Sequence, residues 1–192
     1  GVLCLEGAVF LSDREIQEAL KKPVLLAADS AKELIRRGFG EYLGVEVCKW
    51  TGKIPSIEIS DLNGNEMSVQ QEICALIPQN DQVFALSWVY HTIDGVHTER
   101  LFPGITKYHN SLGGTVFTCC GTPNTSYNIV DAFSFLNETR KRILTQILKD
   151  SDALPIYYPG DEEVYFRTAA LPDGQRFVAV FNLSLDPIEH LI

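Results

Sequence analysis

Apolar positions recur along the chain with two different periods, and the changes between them mark out the elements. In SDREIQEALKK, residues 12–22, Ile16, Ala19 and Leu20 fall on one helical face. Ser12 with Glu15 three residues later has the form of a capping box, and the closing lysines stand where a helix dipole favours cations. PVLLAAD, residues 23–29, is apolar up to its final Asp29, which predicts a strand covered on both faces. SAKELIRRG then repeats the capping device with Ser30 and Glu33, turns Leu34 and Ile35 inward, and offers Gly38 as a left-handed stop. Helix, buried strand, helix is the order of an α/β unit.

Further along, VEVCKW (45–50) and SIEISDL (56–62) alternate as strands do, the second leading into the turn residues NGN. QVFALSWVYH (82–91) and TVFTCC (115–120) are two more apolar runs. Between them residues 91–114, rich in Gly, His and Pro, read as a long surface excursion of the kind that carries binding residues. NETRKRILTQILK (137–149) is the strongest helix pattern, with Leu136, Ile143, Leu144, Ile147 and Leu148 as a stripe set to cover a sheet. VYFRTAAL and RFVAVFNL flank PDGQ as a hairpin with its turn built in. These elements predict an α/β domain over 1–152 and a β-hairpin segment over 153–192, the start of a following β domain.

Composition narrows the class of protein. With 192 residues, 45% of them hydrophobic and 21% charged, the chain buries a core without needing disulfides or a metal. A net charge of -9 would repel a phosphate backbone, so nucleic acid is not expected as a partner. No run approaches the roughly 20 apolar residues of a membrane span, and no leader pattern opens the chain. The start at Gly1 and the end at IEHLI read as a piece of a longer protein. Five cysteines without a CxxC pair give neither a disulfide framework nor a zinc signature, and Cys4, Cys48 and Cys74 read as small core thiols. No cofactor or metal is called for.

Two long stretches carry a family resemblance. PVLLAADSAKELIRRGFGEYLGVEV, and later GGTVFTCCGTPN through NETRKRILTQILKDSDALPIYY to GQRFVAVFNLSLDP, together about two thirds of the chain, resemble one particular type of domain. It is the class I glutamine-amidotransferase-like domain that follows the catalytic barrel in bacterial β-galactosidase-type glycoside hydrolases, the type that serves in trimerisation. The resemblance implies a flavodoxin-like three-layer sandwich with a mostly parallel sheet, followed by the antiparallel hairpin. It also implies that amidotransferase chemistry is lost and that the glycosidase carboxylates belong to a preceding barrel. The implied role is non-catalytic, in assembly with other domains of the same parent chain or as a homo-oligomer, in bacterial cytoplasm or cell envelope.

Candidate chemistry is thin beside that role. In GGTVFTCCGTPN, Cys119 or Cys120 stands where a strand-end nucleophile would, which defines the alternative of a cysteine-dependent hydrolase or amidotransferase. Gly121 lies only on the far side of Cys120, Pro123 interrupts any following helix, and the one downstream histidine, His190, does not match the family's His-x-Glu partner pattern. The residues therefore favour two packing thiols, one turned inward and one outward. Asp29, at the end of a buried strand, lies where open α/β sheets bind ligands, although a turn role explains it as well. His91, His97 and His109 in or beside the excursion lack a metal-ligand spacing and are candidates for a sugar contact in a third reading, a sugar-binding module. Trp50, Trp88 and Tyr90 are aromatic groups that either stack on a sugar or fill the core. The acidic DEE at 161–163 supplies no facing pair of carboxylates for glycoside hydrolysis.

Overall fold

The first capping signal closes as the sequence predicts: Glu15 N donates to Ser12 Oγ at 3.3 Å while Ser12 N donates to Glu15 Oε2 at 2.8 Å. The structure, a computed structural model, describes residues 3–4, 7–61, 66–68, 73–121, 138–151 and 164–182. Its first half runs β1 (Leu3–Cys4), α1 (Asp13–Leu20), β2 (Val24–Leu26), α2 (Ala28–Arg36), β3 (Val45–Lys49), β4 (Ile57–Ser60), β5 (Glu66–Ser68) and β6 (Cys74–Pro78). The second half runs β7 (Phe84–Ile93), β8 (Val96–His109), β9 (Thr115–Cys119), α3 (Glu138–Asp150), β10 (Val164–Ala170) and β11 (Arg176–Asn182). The predicted turn NGN and the stripe residue Leu136 lie outside the described residues.

α2 starts earlier than its sequence signal. Ala27 occupies the N-cap position and Ala28 already opens the helix, so Asp29 and Ser30 belong to its first turn and the expected Ser30–Glu33 capping box does not form. A tertiary contact takes the place of the cap, because Ala28 N donates to the carbonyl of Gly121 at 3.2 Å. The stop does follow the sequence: Gly38, at φ 90°, closes the helix with Gly38 N to Ile35 O at 3.0 Å and Phe39 N to Leu34 O at 2.9 Å.

Seven strands form the main sheet in the order β1-β2-β9-β8-β7-β4-β5. Parallel pairing is confined to β2 with its neighbours β1 and β9, and every other pairing in that sheet is antiparallel. The expected flavodoxin-like, mostly parallel α/β sandwich is therefore wrong: the described chain is mostly β, with a mixed sheet that curls as a half-barrel. The physical cause lies in residues 91–114, which are no surface excursion. β7 runs on to Ile93, turns through Asp94 (φ 52°) and Gly95 (φ 77°), and returns as β8. An Asp-Gly pair favours a hairpin turn of this kind, and two residues are too few for the helical crossover that parallel neighbours require. Four register shifts along β7–β8 add the local bends that curl the sheet.

Helices cover both faces where the parallel strands lie. Ile16, Leu20, Ala31 and Leu34 of α1 and α2 pack with Val24, Leu26 and Val116. On the opposite face Ile143 and Ile147 of α3 pack with Leu25, Ile105, Phe117 and Cys119, the sheet-covering role its stripe predicts. The small antiparallel sheet of β3 and β6 joins the first core through Val45 and Val47. It closes a third cluster, in which Ala75 and Leu76 meet Val89, Phe102 and Cys120. β10 and β11 form the predicted antiparallel hairpin and, among the described strands, pair with each other alone. No helix among the described residues is long and apolar enough to cross a membrane.

Candidate functional site

Three of the residues singled out from sequence converge at the carboxyl ends of β2 and β9. The parallel register sets Leu26 against Thr118, so the chain leaves β2 into α2 beside the segment Thr118–Gly121. Cys119 is 8% exposed and faces α3, while Cys120 is 5% exposed and lies in the third cluster. Both thiols are thus buried, on different cores, and the expected outward-facing one does not exist. Cys120 N donates to Gly104 O at 2.8 Å, and Cys120 O accepts from Cys74 N at 2.7 Å. Those two bonds carry Cys120 on from β9 as a laddered segment. Among the described residues Asp94 is the only non-glycine with positive φ, so neither cysteine sits on a left-handed turn.

Asp29 is exposed, and its Oδ1 lies 3.6 Å from Lys32 Nζ, one turn along α2. The Lys32 ammonium is held above its ordinary range chiefly by a hydrogen bond with the sulfur of Cys74, against the opposing effect of burial and with further help from Asp29. Cys48, on the neighbouring strand β3, has its thiol pushed up first by its hydrogen bond to Glu46 Oε1 at 3.3 Å. Burying Ser30 and Thr118 leaves the Oγ of one and the Oγ1 of the other without a hydrogen-bond partner.

His91 and His109, the histidines with described side chains, bond elsewhere than at this site. His91 Nδ1 donates to Ile54 O at 2.8 Å, and His109 Nδ1 lies 2.8 Å from Thr115 Oγ1. His97 pairs with Thr92 next to the hairpin turn, and its side chain lies outside the described residues. From His97 to His109 the strand runs roughly 40 Å at about 3.3 Å per residue. Among the described residues no group of three or more His, Cys, Asp or Glu could hold a metal ion. His190 and the DEE stretch lie outside the described residues.

Sequence reasoning missed the sheet's buried polar row. SIEISDL alternates as expected, yet it is Glu58 and Ser60 that are buried, at 4% and 1% exposure, while Ile57 and Ile59 are only half-buried. Ser87 on β7 donates to the Glu58 carboxylate, and Gly104 on β8 leaves the room that carboxylate needs. Because β4 pairs with β7 in regular register, Trp88 and Tyr90 share the opposite face with Ile57 and Ile59. Trp88 Nε1 donates to Asp61 Oδ2 at 3.0 Å, and the Arg100 guanidinium lies 4.2 Å from the Trp88 ring centroid. Trp50 instead packs on Phe102, with ring centroids 4.9 Å apart. The clue available in sequence was polar Ser87 interrupting the apolar run of β7, which the register sets opposite Ser60.

No protein-family model matches the chain, and no curated protein matches it.

Proposed function

We propose that this chain is a non-catalytic accessory and assembly domain of a larger bacterial protein of the glycoside-hydrolase kind, docking against other domains of that parent through the β10–β11 hairpin. The hairpin is the observation that carries the reading. Phe177 is 56% exposed on one of its faces, and Val178 and Val180 are 42% and 41% exposed on the other. A lone two-stranded hairpin is marginal in water, and apolar side chains on both faces call for a covering surface. The burial of Cys119 and Cys120, with a laddered backbone at Cys120, supports packing roles for the thiols. The link to carbohydrate processing rests on the motif resemblance alone.

The test replaces Phe177→Ser, Val178→Thr and Val180→Thr together in the full natural chain. Threonine keeps the strand preference of valine while removing most of its apolar gain. Burying one such side chain is worth about 1.5–3 kcal/mol, so the triple variant should weaken docking by more than about a hundredfold. Sedimentation should then show an expanded or dissociated particle. A particle of unchanged mass and shape would rule out docking by the hairpin.

One observation favours a second reading, a sugar-binding module. Trp88 and Tyr90 share a half-buried face; Asp61 takes the Trp88 indole N–H and the Arg100 guanidinium stacks over the Trp88 ring at 4.2 Å from its centroid, so a sugar stacking on Trp88 would take the place of Arg100. Trp88→Ala should abolish the calorimetric response to a binding oligosaccharide, and a flat response of the unmodified chain across a sugar panel would remove this reading.

A further inference from the structure

The middle of β11 reads the same in both directions. Phe177, Val178, Ala179, Val180 and Phe181 form a palindrome centred on Ala179, within the strand Arg176–Asn182. Every position of it except Ala179 is exposed. The turn fixes which way the main-chain groups point. Leu171 N donates to Gln175 O at 2.8 Å, which makes these two residues a hydrogen-bonded pair, and such pairs recur at every second place along an antiparallel ladder. With Ala169 opposite Phe177 and Arg167 opposite Ala179, the odd-numbered residues of β11 bond to β10. The N–H and C=O groups of Val178 and Val180 therefore point to the outer edge, and no other described strand pairs there.

Charge distinguishes the two edges of the hairpin. β10 carries Arg167 at its midpoint, so antiparallel self-pairing of that strand would set one guanidinium opposite another, and a charge in such a place guards an open edge. β11 has its one charge at its end, in Arg176, and none within the palindrome. Antiparallel pairing of two β11 strands about Ala179 places Arg176 opposite Asn182 of the second copy, whereas parallel pairing in register would place it opposite another Arg176.

We propose that two copies of this chain associate edge to edge through β11, antiparallel about a two-fold axis at Ala179, in a sheet ordered β10-β11-β11-β10. Val178 of each copy exchanges both main-chain hydrogen bonds with Val180 of the other. Phe177 stands opposite Phe181 in a non-hydrogen-bonded pair, the kind in which cross-strand side chains come closest. The same patch serves both copies, so the assembly closes as a dimer, whereas pairing β11 with β10 of the next copy would leave an edge open at every step and grow as a fibre. In the closed dimer the two copies of Arg167 lie roughly 14 Å apart, across strand spacings of about 4.8 Å, which exceeds the ~8 Å screening length of physiological salt. The proposal rests on the reading of the hairpin as an assembly element, but it uses the edge and leaves both faces for the parent's other domains.

The test measures the mass of the isolated 192-residue chain by sedimentation over a concentration series, with no parent domain present. An interface of this size belongs to the weak class, with half-association expected on the order of 10–100 µM. In the double variant Val178→Lys, Val180→Lys the two-fold axis sets like charges opposite each other, and association should weaken by at least about tenfold. In Val178→Lys, Val180→Glu it sets Lys opposite Glu on both sides of the axis, and association should return to within about fivefold of the unmodified chain. An unmodified chain that stays monomeric to about 1 mM, an open-ended series of larger species, undiminished association in the first variant, or no gain of the second variant over the first would overturn the edge pairing. The unmodified chain decides whether a closed dimer forms even where a variant folds poorly. None of these outcomes bears on docking to the parent, which the face variants test separately.

Discussion

Gly104 shows how much of this interior depends on a single missing methyl group. A Cβ there would lie 2.6 Å from Glu58 Cδ and 2.7 Å from Ser87 Oγ, so any side chain must push the buried carboxylate off its serine donor. Gly104→Ala should therefore destabilise the fold by about 1–3 kcal/mol. Urea unfolding would show this as a lower midpoint at an unchanged slope, whereas a midpoint equal to that of the unmodified chain would mean that the sheet relaxes around the added methyl. The thiols make a second residue-scale case. Cys119 and Cys120 are buried while Cys48 and Cys74 are half-buried. Alkylation of the native protein followed by peptide mapping should modify Cys119 and Cys120 only at the rate of unfolding. Rapid labelling of Cys120 at pH 6 would instead restore the cysteine-enzyme alternative, since a nucleophilic thiol must ionise readily. From sequence the cysteine pair was legible as a strand end, but its two-sided burial was not, because that depends on α3 covering one face and β3–β6 the other.

Elements are tied together by a few polar contacts across the layers, among them the ion pair Lys107–Asp150, whose two side chains are both sheltered. Lys107 Nζ on β8 lies 2.7 Å from Asp150 Oδ2 at the end of α3, with the two side chains 21% and 29% exposed. The Asp150 carboxyl is held below the usual range first by the hydrogen bond from Lys107, against the opposing effect of burial. A depressed folded value means that the added stability is present above the unfolded carboxylate value and is lost as pH falls through the folded one. Asp150→Asn should cost about 0.5–1 kcal/mol at pH 7, and that difference should close below about pH 4. A gap that stayed constant down to pH 2 would show that the loss comes from packing and not from charge. The legibility of the helices follows the same division between local and long-range causes. Ser12 and Glu15 cap α1 with bonds inside one turn, so four residues of sequence suffice. α2 begins against a carbonyl supplied by Gly121, more than ninety positions away, so a local capping pattern at Ser30 pointed to the wrong start.

Across the whole molecule, strand positions were easier to read than strand directions. The apolar runs at 24–26, 84–93 and 115–119 are strands as their patterns predict. Buried runs look alike in parallel and antiparallel sheets, and covering helices on both faces of β2 and β9 give this part of the sheet an α/β surface. The Asp94–Gly95 turn was the residue-level signal that distinguished them, and it makes the centre of the sheet an antiparallel hairpin. Placement on a face was harder still, because Glu58 and Ser60 go inward only where Ser87 and Gly104 meet them. The hairpin of β10 and β11, in contrast, was fully legible, since its strands and its turn are contiguous. That hairpin carries the central claim, and the most direct measurement compares the full natural chain with a version lacking residues 1–192. Each is assayed for its mass in solution and for aryl-glycoside hydrolysis, beside the isolated 192-residue chain. An accessory domain predicts loss of assembly or hydrolysis on deletion, and no hydrolysis by the isolated chain. Unchanged mass and hydrolysis on deletion, or turnover by the isolated chain itself, would contradict it.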